Sequence, residues 1–491
     1  MLVKDLLEGV EVLQGRADGD MVDIKIDSKK VGYGDVFVAM KGSCFDGNDF
    51  AKEALDKGAS FVISEQNLPF ENVIVVRDAR KAYAEICKNF FGKACDQLKL
   101  IGVTGTNGKT TTCNIIASVL RAGGKNVGVI GTLGARYNSE TVHTSMTTPD
   151  PYLLHKLFKE MRDDGVEYVV MEVSAHALAL NKLEGVKFEE GILTNITEDH
   201  LDFFGDMENY AKAKMSFFDP KYMKLGIVFG EDRYGRLLMY KSKVPTICYG
   251  KGRKFDVSGR DIVTNFDGSH FVCDYLGEQI EIDSHLVGEY NVENLLAAIA
   301  STRSIGIGKE ALQRGIKNLA PVEGRFNIIN ILGKNIIIDY AHTPDGLEKV
   351  LKTARALSDN KLVCIFGCGG NRDRQKRPIM GKIASTLADD VIITSDNPRF
   401  EKPEDIIQEI EAGVTKKCVC IPNRQQAIEG AMKKYKDKTT IVIAGKGAEN
   451  YQEIEGKKYP FSDFEVVYNY ARSLQKPLKT DKSYPFRDEF K

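Results

Sequence analysis

The segment Gly102-Val103-Thr104-Gly105-Thr106-Asn107-Gly108-Lys109-Thr110-Thr111 constrains this chain more than any other. Before it, Leu98-Lys99-Leu100-Ile101 reads as a buried strand; after it, residues 112–120 are helix-competent and Gly123-Gly124 can end the helix. A strand, a glycine turn and a helix start make an anion cradle, because unpaired N–H groups point inward and the helix dipole favours negative charge. In such a cradle Lys109 reaches the β- and γ-phosphates of a nucleotide, and the Thr110 hydroxyl ligates Mg²⁺. One spacing departs from the usual loop: Val103 stands where glycine is expected, and Gly102 comes one residue early. A plain glycine-rich turn is the alternative, and Gly-Lys-Thr-Thr directly after a strand argues against it.

The chain has 491 residues, enough for about three domains. With 68 Lys+Arg against 69 Asp+Glu it carries no polyanion-attracting field, and no segment resembles a nucleic-acid module. Met1-Leu2-Val3-Lys4-Asp5 does not read as a signal peptide, and no apolar run approaches the ~20 residues of a membrane span. The ten cysteines are scattered; the closest pairs, Cys364/Cys368 and Cys418/Cys420, lack zinc-knuckle partners in sequence. Buried, reduced thiols in a cytoplasmic protein are the expectation.

Strands and helices alternate in three segments, 1–93, 94–322 and 323–491, which sets the class as α/β. In the first, residues 21–26 alternate like a half-buried strand, 34–40 form a turn and strand, and 50–57 form a helix closed by Gly58. Short strands follow at 61–63 and 73–76. The second segment opens on the phosphate loop. Strands at 126–130 and 168–171 flank a helix whose apolar face is Leu153, Leu154, Leu157, Phe158 and Met161, and a further helix is expected over 291–305. This alternation predicts a doubly wound sheet with ligands at the carboxyl ends of its strands. The third segment has strands at 335–338, 361–366, 391–394 and 440–444, and helices at 345–357 and 382–387. Its strands end in polar or glycine-rich runs at 339–342, 367–372, 395–399 and 445–449, a second binding edge. The charged tail from Lys476 is expected to be loose.

Glu172 follows the strand at 168–171, at the carboxyl edge beside the phosphate loop, where a carboxylate can hold the Mg²⁺ that bridges nucleotide phosphates. The plainer alternative is a surface acid capping a helix. Residues 194–202 place Glu198, Asp199, His200 and Asp202 together; a metal site and a solvated acidic loop are equally open from these residues alone. Lys212 and Lys214 by themselves read as two lysines lying along an amphipathic helix.

In order along the chain, these stretches resemble the ATP-dependent Mur ligases, and within them the MurE subfamily, over nearly the whole length. Asp27-Ser28-Lys29-Lys30-Val31 with Gly34-Asp35-Val36-Phe37-Val38-Ala39 looks like the uridine-nucleotide-binding start. Gly105 to Thr111 match the ATP loop, which accounts for Val103. Thr147-Thr148-Pro149 and Glu172-Val173-Ser174-Ala175-His176 match substrate- and metal-binding stretches. Residues 195–202 match a metal-histidine motif with His200 in the ligand position, and 210–214 match the motif whose last lysine, Lys214, is carbamylated. Asn291, Asn294, Arg325, Asp339 and His342 fall on nucleotide-contacting positions. Arg372, Asp396, Asn397, Pro398, Arg399, Gly445 and Glu449 fall on positions that hold an incoming amino acid. Three residues depart from the pattern: Ala175 for serine, Lys182 for an arginine near the substrate, and Ala448 for the histidine of a Gly-Lys-Gly-His-Glu motif.

The resemblance implies a small N-terminal α/β domain for the UDP-MurNAc end (1–93), a central P-loop ATP-binding domain (94–322) and a Rossmann-like C-terminal domain for the amino acid (323–491). It implies ligation of a diamino acid to UDP-MurNAc-L-Ala-D-Glu at the expense of ATP, in peptidoglycan precursor synthesis, by a cytoplasmic monomer. Lys109, Glu172, His200 and Lys214 would be catalytic. ATP would meet Gly105, Thr106, Asn107, Gly108, Lys109, Thr110 and Thr111. Two Mg²⁺ would be held by Thr110, Glu172, His200 and Lys214. The UDP-MurNAc-dipeptide would meet Ser28, Thr147, Thr148, Ser174 and Lys182. Arg399 suggests meso-diaminopimelate, since a guanidinium fork matches a carboxylate that L-lysine lacks. The alternatives are L-lysine or another amino acid, a folylpolyglutamate-type ligase, and a silent nucleotide-binding paralogue.

Overall fold

The architecture is that of a computed structural model describing residues 1–42, 45–252, 254–358, 360–436 and 438–474. The tail read as loose lies outside these residues. The chain divides into two compact units, Met1–Ala320 and Pro321–Lys491.

The first unit holds two sheets. The smaller runs Val12–Gln14, Val73–Val76, Phe61–Ser64, Val36–Val38, Ile24–Lys25, parallel except for its first strand. The half-buried strand expected over 21–26 shrinks to Ile24–Lys25. The reason is where its amides go: Met21 N–H donates to the Met1 carbonyl, Val22 N–H to the Gly34 carbonyl and Ile24 N–H to the Asp23 carboxylate.

The larger sheet has at its middle Met223–Phe229, Phe188–Leu193, Lys99–Thr104, Tyr168–Glu172 and Val127–Gly131, all parallel. Its central strands are apolar and buried on both faces, as parallel strands covered by helices must be. Helix Lys109–Ala122 springs from the end of Lys99–Thr104 and packs with helices Glu289–Ser304 and Lys309–Lys317. Beyond Thr246–Lys251, which is parallel to Met223–Phe229, the sheet continues as an antiparallel meander, Val257–Asn265, Gly268–Tyr275 and Glu278–Ser284. Sequence reading missed it because every second residue of the outer strand faces solvent among polar side chains.

The second unit has one sheet in the order Asn327–Ile331, Lys334–Asp339, Thr440–Ala444, Leu362–Phe366, Asp390–Thr394, Val419–Ile421, parallel after the first strand. A separate hairpin, Tyr451–Ile454 with Lys457–Pro460, follows the sheet strand Thr440–Ala444. The helix expected over 382–387 extends back to Lys376, since Pro378 lies in its first turn, where no amide partner is lost. Among the described residues the cysteines are free thiols. Burial holds for seven of them, whereas Cys418 is half-buried and Cys420 exposed, because their short strand lies at the open sheet edge. No helix among the described residues is long and apolar enough to cross a membrane.

One buried ion pair ties this unit together. The Arg424 guanidinium donates from Nε to Asp463 Oδ1 and from Nη2 to Asp463 Oδ2, both at 2.8 Å, with both side chains 0% exposed. Nη2 also donates to the Ala444 carbonyl at 3.0 Å, so two helix starts and a strand end share one guanidinium. Arg424→Ala is expected to cost about 3–5 kcal/mol by stranding a buried carboxylate. At about 2–4 °C per kcal/mol for a unit of this size, calorimetry of the full chain should show its melting transition fall by ~6–20 °C. The double variant Arg424→Met/Asp463→Leu should lose less than Arg424→Ala. A shift under ~2 °C for Arg424→Ala would show the pair to be dispensable.

Candidate functional site

The loop between strand Lys99–Thr104 and helix Lys109–Ala122 curls through two glycines, Gly105 at φ +148° and Gly108 at φ +89°. A Cβ on Gly105 would sit 1.9 Å from Thr194 Oγ1, and one on Gly108 2.4 Å from Asn294 Oδ1. The loop is therefore walled closely on two sides. Its outer wall is the segment after strand Phe188–Leu193. Thr106 N–H donates to the Asn195 carbonyl (2.8 Å), Asn107 N–H to Asn195 Oδ1 (3.0 Å), and Thr194 Oγ1 and Asn195 Nδ2 to the Asn107 carbonyl (2.6 and 3.1 Å). The Thr106 hydroxyl donates to the Thr197 carbonyl (3.0 Å) and lies 3.1 Å from the Tyr210 hydroxyl. Thus Asn195, which the sequence placed in a metal-histidine motif, braces the loop here. Asn291 and Asn294 are joined side chain to side chain at 3.1 Å on the buried helix Glu289–Ser304.

Two lysine amines fold onto the loop. Lys109 Nζ donates to the Gly105 and Thr106 carbonyls, each at 2.8 Å, and Lys214 Nζ donates to the same Gly105 carbonyl at 2.8 Å. Lys214 is 1% exposed, on helix Met207–Met215, with its amine 4.8 Å from the Tyr210 ring centre. Burial first, then the Lys109 cation, hold its amine well below the usual lysine range, while Asp199 opposes them.

Glu172 ends its strand at 2% exposure. Its Oε1 accepts from Thr110 Oγ1 (2.9 Å) and Thr132 N–H (2.9 Å), and its Oε2 from Thr132 Oγ1 (3.2 Å). Among the described residues no basic side chain pairs with it. A buried carboxylate beside a threonine hydroxyl at the end of a phosphate loop is a hard, all-oxygen donor set that fits Mg²⁺. His200, in a left-handed turn at φ +56°, has Nε2 3.3 Å from Asp199 Oδ2 and its ring 4.8 Å from that of His176. Glu172 and His200 do not share a three-ligand cluster among the described residues. Thr148 Oγ1 donates to the Glu172 carbonyl (2.8 Å) and accepts from Ser174 N–H (3.0 Å), Ser174 Oγ caps the next helix, and the Thr147 hydroxyl lies 3.1 Å from that of Thr132. Lys182 pairs with Asp150 at 2.7 Å, in a pocket also lined by Arg80, Tyr83, Ile26 and Met40. Arg80, which sequence reading passed over, supplies a cation there. Ser28 donates to Glu53 Oε2 at 3.2 Å.

In the second unit, four strand ends form a polar edge. Asp339 accepts Phe326 and Ala341 N–H groups, each at 2.7 Å, the Arg325 guanidinium lies 4.4 Å from the Tyr340 ring centre, and His342 Nδ1 lies 2.9 Å from the Tyr340 carbonyl oxygen. Desolvation raises the Asp339 carboxyl, against the pull of Arg325 and the two N–H donors. Asp396 is 8% exposed; its Oδ1 accepts Asn397 N–H at 2.7 Å and its Oδ2 has no partner. Asn397 donates from Nδ2 to Glu449 Oε2 (2.9 Å), and its Oδ1 accepts from Lys446 Nζ (3.0 Å) and Glu453 N–H (2.9 Å). The expected open guanidinium fork of Arg399 is partly engaged: Nε donates to Glu453 Oε2 (3.2 Å) and Nη1 to the Gly370 carbonyl (2.8 Å). Glu453 carries no signal in the sequence, because the hairpin that holds it has no strand-like run long enough to notice. Arg372 is exposed, and a Cβ on Gly445 would sit 2.7 Å from the orphan Asp396 Oδ2.

Three family models match in order: Mur ligase family, catalytic domain, over residues 22–91; Mur ligase middle domain over 103–302; and Mur ligase, glutamate ligase domain over 324–447. A curated relative from Clostridium tetani, named UDP-N-acetylmuramoyl-L-alanyl-D-glutamate--2,6-diaminopimelate ligase, is 40% identical over 96% of this chain and 100% of its own. A relative of the same name from Aquifex aeolicus is 42% identical over 90% and 92%. A solved structure of a protein so named superposes with TM-score 0.69 at 31% identity, covering 96% of this chain and 99% of that one.

Because the Gly105 turn leaves no room for a side chain, Gly105→Ala is expected to weaken ATP binding by at least about tenfold while leaving the circular dichroism spectrum unchanged. Calorimetric titration measures it; unaltered affinity would refute the cradle geometry.

Proposed function

The chain belongs to the Mur ligase family, and from that premise we propose that it joins a diamino acid, meso-diaminopimelate, to the D-Glu γ-carboxylate of UDP-MurNAc-L-Ala-D-Glu while ATP becomes ADP and phosphate. A carboxylate is a poor electrophile. The γ-phosphoryl group must first pass to it, giving an acyl phosphate with a good leaving group, which the amine then attacks through a tetrahedral intermediate. Lys109 would follow the β- and γ-phosphates and offset charge as it moves. Two Mg²⁺, held by Thr110, Glu172, His200 and a carbamylated Lys214, would supply Lewis-acid neutralisation of phosphate and carboxylate oxygens. Gly105, Thr106, Asn107, Gly108 and Thr111 would line the ATP phosphates, with Asn291, Asn294, Arg325, Asp339 and His342 meeting the rest of the nucleotide. Ser28, Thr147, Thr148, Ser174 and Lys182 would hold the UDP-MurNAc-dipeptide, with 1–93, 94–322 and 323–491 as the three domains of a cytoplasmic monomer serving peptidoglycan synthesis.

The burial of Lys214, whose amine donates to the Gly105 carbonyl, lies over the Tyr210 ring and is held well below the usual lysine range, supports the carbamate. The neutral amine attacks CO₂, forms the N–C bond and releases a proton, turning a would-be cation into an anionic ligand. In ¹³C-bicarbonate, the protein is expected to show a carbamate resonance absent from Lys214→Ala. That variant should lose at least about 100-fold in rate, partly restored by short carboxylates. An active enzyme without that resonance would remove the carbamate from the mechanism.

The observation that carries the amino-acid assignment is the buried, unpartnered Asp396 Oδ2 three residues from Arg399. An orphan acceptor and a guanidinium in one turn match an ammonium beside a carboxylate, the far end of diaminopimelate. Arg372, Asn397, Pro398, Gly445 and Glu449 would complete the pocket. L-Lysine is the second reading, favoured by Glu453, which already partners Arg399 and softens the cost of leaving it without a ligand anion. Phosphate release measured across a panel of amino acids tests the activity itself. In competition, diaminopimelate is expected to lead lysine by about 10- to 10³-fold in kcat/KM, and Arg399→Ala should erase the lead. Equal use of lysine by the unaltered enzyme would overturn the assignment.

A further inference from the structure

We propose that Glu411, Cys418 and Cys420 form a site for one thiophilic divalent cation of the zinc group, outside the ligation machinery. Glu411 is the last residue of helix Pro403–Glu411, and Cys418 and Cys420 flank Val419 at the outermost strand, Val419–Ile421, of the second unit's sheet. Residues two apart in an extended chain face the same side. One oxygen and two sulfurs therefore converge, all within 4.8 Å of one another, and Cys418 Sγ lies 3.7 Å from Glu411 Oε1. Tetrahedral zinc, with bonds of about 2.3 Å to sulfur and 2.0–2.2 Å to oxygen, needs ligand atoms about 3.6–3.8 Å apart. The cluster is already near that spacing, with a fourth position left for water.

A disulfide suits the same pair less well. Extended backbone holds Cα atoms of residues i and i+2 about 6.5 Å apart, toward the limit of disulfide geometry and beyond its preferred 5.5–6 Å. A bridging ion spans that gap without bending the strand. Among the described residues no lysine or arginine pairs with Glu411, so the reduced cluster presents one uncompensated carboxylate beside two thiols that an ion can deprotonate. Binding would release two thiol protons and leave two thiolates, one carboxylate and the ion, net charge −1. Glu411 and Cys420 are exposed, so an ion can reach them. Once there it would fasten the helix end to the strand that runs into Pro422, whose carbonyl accepts the N–H of Ser395, next to Asp396.

The test uses the reduced, chelator-stripped full chain titrated with Cd²⁺ in excess Mg²⁺, with Zn²⁺ as competitor. One equivalent of Cd²⁺ is expected to raise a sulfur-to-cadmium charge-transfer band, release two protons and be displaced by Zn²⁺. Cys418→Ser and Cys420→Ser should each abolish the band, and Glu411→Gln should weaken binding by about tenfold, or 1.4 kcal/mol. Ligase activity and circular dichroism, unchanged in all three, would show that the variants fold. No band in the unaltered protein, or a band that survives in the Cys418→Ser/Cys420→Ser variant, would overturn the site.

Discussion

The glycine loop between Thr104 and Lys109 holds its open shape because the segment carrying Thr194, Asn195 and Thr197 braces it from outside. A glycine loop left to itself pays heavily in backbone entropy and has no reason to hold its N–H groups open. Here the neighbouring parallel strand delivers a second loop whose side chains and carbonyls bond the loop backbone at Thr106 and Asn107. Strand order thereby becomes chemistry: only because Phe188–Leu193 lies directly beside Lys99–Thr104 can that brace reach. Glu172 arrives from the strand on the other side, so the central strand is flanked by its brace and by its carboxylate.

The same economy of cations recurs in the second unit. Arg377, fully buried, donates to Glu401 and Glu409, while Arg424 grips Asp463 and Lys446 reaches Asn397 and Glu449. Each sits under a loop at a strand end. Buried ion pairs give little net stability, but they penalise any arrangement that separates them. They hold a polar edge in one shape where apolar packing alone would leave it loose.

Much of this was legible in the chain itself. The parallel strands announced themselves as continuous apolar runs, and Gly-Lys-Thr-Thr after such a run fixed the cradle and its helix. Motif order carried the family. What stayed hidden had physical reasons. The meander from Val257 to Ser284 alternates on an exposed surface and resembles loop. Strand 21–26 had the right alternation, yet its amides found other carbonyls. Glu453 and Glu411 meet their partners only through tertiary folding, 54 residues from Arg399 in the first case and across a turn in the second. Cys418 and Cys420 read as core because cysteine usually is; an edge strand of three residues cannot bury them.

Arg399 holds a left-handed backbone, φ +52°, without being glycine. What keeps it there is the hairpin: Arg399 N–H donates to the Glu453 carbonyl and Glu455 N–H to the Arg399 carbonyl, while Glu453 takes the guanidinium. The aim of that side chain is thus set by Tyr451–Pro460, a segment distinct in sequence from the motif it steers. Such an arrangement separates what recognises from what points. If this edge is the amino-acid pocket, as proposed above, redrawing the ten residues Tyr451–Pro460 would retune its choice with Asp396, Asn397, Pro398 and Arg399 untouched, and motif comparison alone would not notice the change.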